Sequence, residues 1–183
     1  GIRMGAVVEQ PLNIENKRII DYATNHRSEF MDIYLGANCR FMIGDGSGYP
    51  CLPMVFRRPL VLTNLVALEH MATWGANYLL IPKKLWQRGD RRFLTFRETL
   101  DSGIGNFQRT DLYDQHGIDV IENTPEEIAA VAIEMDDRLN GSWETTEEDE
   151  DLQQQFWSLF KPGDLHGTVL SRMGAEFLRQ NRE

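Results

Sequence analysis

The segment that most constrains the fold is a glycine-rich turn between two apolar runs, within residues 41–64. The first run, Phe-Met-Ile at 41–43, has the composition of a strand and leads into Gly-Asp-Gly-Ser-Gly at 44–48. A short helix is predicted over about residues 50–57, and a second apolar run at 59–63 follows it and ends at Asn64. Strand, glycine turn, helix and strand in this order are typical of a βαβ unit in a parallel sheet.

The glycine turn is the first candidate binding site. Ligands of parallel sheets bind beyond the carboxyl ends of the strands, where this turn is expected to lie. Without Cβ atoms, the backbone amides of Gly46, Ser47 and Gly48 can approach a phosphate, and the start of the next helix adds partial positive charge. The alternative is an ordinary turn that needs positive φ. The spacing matches neither GxGxxG nor a Walker loop, so both interpretations remain open.

Composition excludes several classes of protein. The net charge is −9 and the isoelectric point is near 5.0, which argues against a nucleic-acid-binding surface. No run of residues approaches the roughly 20 apolar positions of a membrane span, and no signal peptide is visible. Cys39 and Cys51 lie in apolar contexts, which predicts two buried free thiols in a reducing cytoplasm.

The remaining chain predicts one α/β domain over residues 1–183, with a doubly wound, mainly parallel sheet of about five or six strands. Further strands are expected near residues 1–5, 17–22, 77–82 and 117–122. Helices are expected from Ser28 to about Asn38 and from the capping box at Thr124 to Gly141. Two C-terminal helices are expected from about residue 149, the last over residues 169–178.

Four other residues are candidates for ligand contacts. Arg3 and Lys83 each follow a predicted strand, so both would lie at the carboxyl edge with the glycine turn. Asn64 ends the second strand of the central unit, and Glu98 offers a carboxylate for ribose hydroxyls. Arg3, Lys83 and Glu98 also have a purely structural interpretation as solvated surface residues. Neither the four histidines nor the two cysteines show metal-ligand spacing, so no metal site is predicted.

The order of motifs resembles a bacterial family of inferred glycosyltransferases of surface carbohydrate synthesis, of the GT-B class. The resemblance spans nearly the whole chain and is carried by RMG at 3–5, IIDYA at 19–23, IGDGSG at 43–48, PLVLTN at 59–64, KK at 83–84, EM at 134–135, GxW at 141–143 and GxxFL at 174–178. It implies a donor-binding half that takes a nucleotide sugar, with the phosphates on Gly46, Ser47 and Gly48. It also implies no cofactor and no bound metal.

The resemblance implies an acceptor-binding domain preceding Gly1, and a glycan or lipid-linked acceptor. In inverting enzymes of the class the general base comes from that N-terminal half, so this chain is expected to bind donor and not necessarily to turn over. A cytoplasmic location, free or peripheral at the inner face of the membrane, is expected. Two rivals remain: a sugar-nucleotide epimerase that uses the same phosphate loop, and a non-catalytic nucleotide-binding or partner-binding module.

Overall fold

The computed structural model describes residues 1–161, 163–165 and 167–182. Within these residues there are seven strands: β1 (Met42–Gly44), β2 (Leu60–Leu65), β3 (Tyr78–Pro82), β4 (Lys84–Gln87), β5 (Arg92–Phe93), β6 (Ile118–Ile121) and β7 (Arg172–Met173). The α-helices are α1 (Tyr22–Asn25), α2 (Glu29–Asn38), α3 (Cys51–Val55), α4 (Phe96–Asp101), α5 (Thr110–Gln115), α6 (Pro125–Asn140), α7 (Glu147–Trp157) and α8 (Ala175–Gln180). Two 3₁₀ turns lie at Leu68–His70 and Ile104–Asn106.

The main sheet has four parallel strands in the order β1-β2-β3-β7. The central unit is therefore the predicted βαβ unit, since β1 and β2 pair in parallel and α3 connects them. All five residues of β3 and the first four of β2 are buried, as expected for strands covered on both faces. The chain is an α/β protein with a parallel sheet and helices, compatible with a Rossmann-like fold.

A second, antiparallel sheet of three strands has the order β5-β4-β6. The run at 117–122 was predicted to join the parallel sheet, but it forms β6 and pairs antiparallel with β4 instead. Strands β4 and β5 were not predicted, because their charged residues resemble a loop. Strand β4 has one buried residue, Leu85, which packs with Ile118, whereas both residues of β5, Arg92 and Phe93, are exposed.

The predicted helices are confirmed where the sequence contains a clear capping residue at the helix end. Helix α2 begins after Ser28, whose hydroxyl accepts the N–H of Met31. Helix α6 begins after Thr124, with a complete capping box to Glu127, and ends at Gly141 in the left-handed region at φ 73°. Helix α7 begins slightly before the expected position, after another capping box, in which Thr146 pairs with Asp149.

The predicted last helix is wrong over its first half. Residues 172–173 form β7, which pairs with β3, and α8 begins only at Ala175. Met173 is fully buried beside β3, so burial in the sheet outweighs the helical spacing of the apolar residues. Gly174 separates the two elements, and a Cβ there would lie 3.0 Å from Ile81.

The strands predicted near residues 1–5 and 17–22 are not formed as strands, and the two segments are joined by a single parallel β-bridge between Ile2 and Ile20. Tyr22, expected at the end of the second strand, begins α1.

The prediction that both cysteine thiols are buried is wrong, since Cys39 is half-buried and Cys51 is exposed. In the described part of the chain, no helix combines the length and apolar character needed to cross a membrane.

Candidate functional site at the carboxyl edge of the parallel sheet

The candidate site lies where β1, β2 and β3 end. The parallel register aligns Gly44 with Leu62, so the loop after β1 starts beside the end of β2. The hydroxyl of Thr63 donates to the carbonyl oxygen of Gly44 at 3.3 Å, which joins β2 to the last residue of β1, directly before the loop. Lys83 follows β3, and its N–H donates to the carbonyl of Leu65 at 2.7 Å. Three chain segments therefore meet at one edge.

The glycine loop, residues 45–48, is exposed and has open space above two of its glycines. Neither Gly46 nor Gly48 has positive φ, and a Cβ at either position would meet no atom within 4 Å. Among the described residues, the amide N–H groups of Gly46 and Gly48 have no hydrogen-bond partner. The alternative explanation of the glycines, an ordinary turn that needs positive φ, therefore does not apply to Gly46 and Gly48.

Asp45 and Ser47 form a small hydrogen-bonded turn within the loop. The N–H of Ser47 donates to Oδ1 of Asp45 at 2.9 Å. Hydrogen bonds from Ser47, that of its hydroxyl above all, lower the pKa of Asp45 below its ordinary value, and the charge of Lys83 acts in the same direction. The N–H of Ser47 is thus occupied by Asp45, and the loop amides that remain for a ligand are those of Gly46 and Gly48.

Helix α3 contributes less to the site than the sequence suggested. It has five residues, and Pro50 at its N-cap makes no side-chain cap. The N–H groups of Cys51 and Leu52 donate to the carbonyls of Gly48 and Tyr49, at 3.2 and 3.0 Å. Two of the first amide donors of this helix are therefore occupied, and the free donors belong to the loop that precedes it.

Lys83 supplies the positive charge at this edge. Its ammonium lies 3.2 Å from a carboxylate oxygen of Glu122, and the two side chains are 18% and 75% exposed. The better-buried partner is the lysine, so Glu122 can move away at little cost. Lys83 directly follows β3, at the same edge of the parallel sheet at which β1 ends and the glycine loop begins.

Asn64 is held in an unusual conformation by a residue that the sequence analysis missed. Its φ is 53°, in the left-handed region. Asn123, which is 6% exposed, accepts the N–H of Asn64 at 2.6 Å and donates its own N–H to the side-chain oxygen of Asn64 at 2.7 Å. Its Nδ2 also donates to the carbonyl of Pro82 at 2.8 Å. In the sequence, the only indication of this role was that Asn123 directly precedes Thr124, the N-cap of α6.

The other two predicted residues make contacts away from this loop. Arg3 donates to the carbonyl of Gln10 at 2.8 Å and lies 3.4 Å from Asp21. Glu98 completes the capping box of α4 and lies 2.7 Å from Arg92. Hydrogen bonds from Arg92, and then from the N–H of Thr95, lower the pKa of Glu98 to about 2.

Two clefts lie near these elements. One of about 240 Å³ is lined by Lys83 and by residues of β4, β5, α4 and the end of α8. A shallower one of about 540 Å³ is lined by Glu98, Arg97, Asp101 and neighbouring residues. Glu98 and Lys83 therefore face different clefts. No three His, Cys, Asp or Glu side chains within residues 1–161, 163–165 and 167–182 group in a way that could hold a metal ion.

Comparisons with protein-family models, with curated proteins and with solved structures found no match to this chain.

Proposed function

We propose that this chain is the donor-binding half of a glycosyltransferase that uses a nucleotide sugar in surface polysaccharide synthesis. Its sheet would be the doubly wound sheet of one half of a GT-B architecture. A separate acceptor-binding domain would present a glycan or lipid-linked acceptor and supply the general base. The protein would act in the cytoplasm, either free or at the inner face of the membrane.

The observation that carries the proposal is the glycine loop at the carboxyl edge of β1. Two glycines there are explained neither by positive φ nor by contact with protein atoms, and their N–H groups face no described partner. An open loop with free amide donors is what a phosphate group needs for close approach. The position, beyond the carboxyl end of a parallel strand, is the one at which α/β sheets bind ligands.

Electrostatics support an anionic ligand at the same edge. Lys83 follows β3 at this edge and supplies a positive charge there, against the negative charge of Asp45, whose carboxylate accepts the N–H of Ser47. When the bond between sugar and diphosphate breaks, negative charge develops on the departing diphosphate. Fixed N–H dipoles and the ammonium of Lys83 would stabilise that charge without a proton being donated by a side chain.

Titration of thermal stability tests the proposal. UDP, GDP, CDP and ADP are added separately, with and without magnesium, and the unfolding midpoint is followed. A nucleotide at tenfold excess over its Kd should stabilise the folded state by roughly 1.4 kcal/mol. The expected result is a metal-independent shift with one nucleoside diphosphate that is lost in Gly48→Val.

Gly89→Val is the matched control, because Gly89 likewise has open space for a Cβ but lies in the turn between β4 and β5. It should leave the shift unchanged. The proposal is wrong if none of the four nucleotides shifts the midpoint at millimolar concentration, or if Gly48→Val and Gly89→Val behave alike.

A further inference from the structure

Strand β2 contains a β-bulge close to the start of the glycine loop. Leu62 pairs with Leu80 and Leu65 with Pro82, so that over this stretch β2 has one residue more than β3. A bulge interrupts the hydrogen bonds of a sheet locally, and bulges are frequent beside active sites. Asn64 lies within the bulge at a φ of 53°, and its N–H is bonded to a side chain instead of a neighbouring strand. The end of β2 therefore depends on a group from outside the main sheet.

Asn123 supplies the bond that the bulge removes from the sheet. Its side-chain oxygen accepts the N–H of Asn64 at 2.6 Å, and that N–H belongs to the planar peptide that joins Thr63 to Asn64. The orientation of this peptide is therefore fixed by a residue between β6 and α6. The hydroxyl of Thr63 in turn donates to the carbonyl of Gly44 at 3.3 Å. A continuous path of contacts thus joins Asn123 to the residue after which the glycine loop begins.

Asn123 also fixes the end of β3. Its Nδ2 donates to the carbonyl of Pro82 at 2.8 Å, directly before Lys83. The preceding residue, Glu122, holds the same segment from its other side, through the ammonium of Lys83 at 3.2 Å. Asn123 is buried, and both the oxygen and the nitrogen of its side chain are bonded to protein groups. It can therefore act on a ligand only through the two strand ends that it holds.

We propose that Asn123 is a positioning residue of the donor site and holds the glycine loop and Lys83 in the relative position that a diphosphate needs. The inference rests on the proposed function and adds a residue that touches no ligand. A carboxamide suits this role, because its oxygen accepts the N–H at the end of β2 while its nitrogen donates to the carbonyl at the end of β3. Free loop amides bind an anion more tightly when they are held in place beforehand, since ordering them on binding costs entropy.

Thr63→Val tests this role with a small change, because valine has nearly the shape of threonine but cannot donate to Gly44. Pyrophosphate affinity, measured by calorimetry on folded protein, should fall about fivefold, as expected when binding has to order one further group. Asn123→Ala removes the bonds to both strand ends and should weaken pyrophosphate binding more than Thr63→Val does.

Ser171→Ala is the matched control. Ser171 is also buried, and its hydroxyl also donates to a backbone carbonyl, that of Ala72 at 2.8 Å. It lies directly before β7, at the amino edge of the same sheet and thus at the opposite edge from the glycine loop. Ser171→Ala should lower the urea midpoint, as Thr63→Val should, and leave pyrophosphate affinity unchanged.

The outcomes separate this inference from the proposed function. If pyrophosphate binds and Gly48→Val abolishes binding, but Thr63→Val binds as the wild type does, Asn123 has no positioning role while the loop assignment stands. An equal loss of affinity in Thr63→Val and Ser171→Ala also overturns the inference, because binding then follows overall stability. If neither pyrophosphate nor any of the four nucleotides binds the wild-type chain, both the inference and the proposed function are wrong.

Discussion

Asn64 and Asn123 each donate a backbone N–H to the side-chain oxygen of the other, at 2.6 and 2.7 Å. This reciprocal pair joins the end of β2 to the residue before the N-cap of α6, although the two residues are 59 positions apart in the chain. It holds Asn64 at positive φ at the edge where the glycine loop and Lys83 also lie. The pair is therefore a structural support of the candidate site.

Replacing Asn123 with alanine is expected to destabilise the protein by about 3 kcal/mol. The change leaves the N–H of Asn64 and the carbonyl of Pro82 without partners, and a buried unsatisfied group costs roughly 1–3 kcal/mol. Urea denaturation measures the loss. Asn140→Ala, at an exposed residue whose amide contacts Asp136, should change stability by less than about 0.5 kcal/mol. A loss below about 1 kcal/mol for Asn123→Ala would contradict the interpretation.

Two glycines of the same segment should respond differently to alanine. A Cβ at Gly44 would lie 2.8 Å from the Pro50 ring, so Gly44→Ala should cost roughly 1–3 kcal/mol of stability. A Cβ at Gly46 meets open space, so Gly46→Ala should fold as well as the wild type and lose pyrophosphate affinity instead. Denaturation and titration of both variants separate the two effects. If Gly46→Ala bound pyrophosphate normally, close ligand approach at this glycine would be ruled out.

Lys83 and Glu122 should have opposite effects on anion binding. Lys83→Gln is expected to weaken pyrophosphate binding about fivefold to tenfold, on the order of 1 kcal/mol for a partly screened charge. Glu122→Gln should strengthen it about threefold, because it releases the ammonium from its ion pair. Both changes in pyrophosphate affinity should become smaller when the salt concentration is raised from about 50 to about 300 mM, because salt screens the charges. Lys17→Gln, at an exposed N-terminal position, is the control; an equal loss there would mean a non-specific charge effect.

The carboxyl of Glu98 should titrate at about 2, well below the ordinary value of 4.5. Since the folded pKa is lowered, the stabilising contribution of Glu98 is present above 4.5 and is lost as the pH falls toward 2. Carbon-detected NMR titration of the side chain measures the midpoint directly. In Arg92→Ala the midpoint should rise toward 4.5, because the hydrogen bond from Arg92 is the largest cause of the shift. An unchanged midpoint would assign the shift to the capping box instead.

Local patterns in the sequence predicted the parts of the fold that short-range interactions determine. Helix α6 was correctly bounded by Thr124, Glu127 and Gly141, because caps act within one turn. The βαβ unit was also correct, since the glycine turn separates two apolar runs of strand length. For the same reason the sequence could place Gly46, Ser47 and Gly48 at a strand end, but it could not show that the N–H of Ser47 bonds to Asp45.

By itself, the sequence determined where helices α2 and α6 begin and that the glycine turn follows a strand of a parallel unit. Only the tertiary structure decided that β6 pairs antiparallel with β4, that Met173 joins the sheet, and that Asn123 holds Asn64. Strand partners and buried side-chain pairs depend on contacts between residues far apart in the chain. Helical or strand periodicity reports which face of an element is buried, and it carries no information about which distant element covers that face.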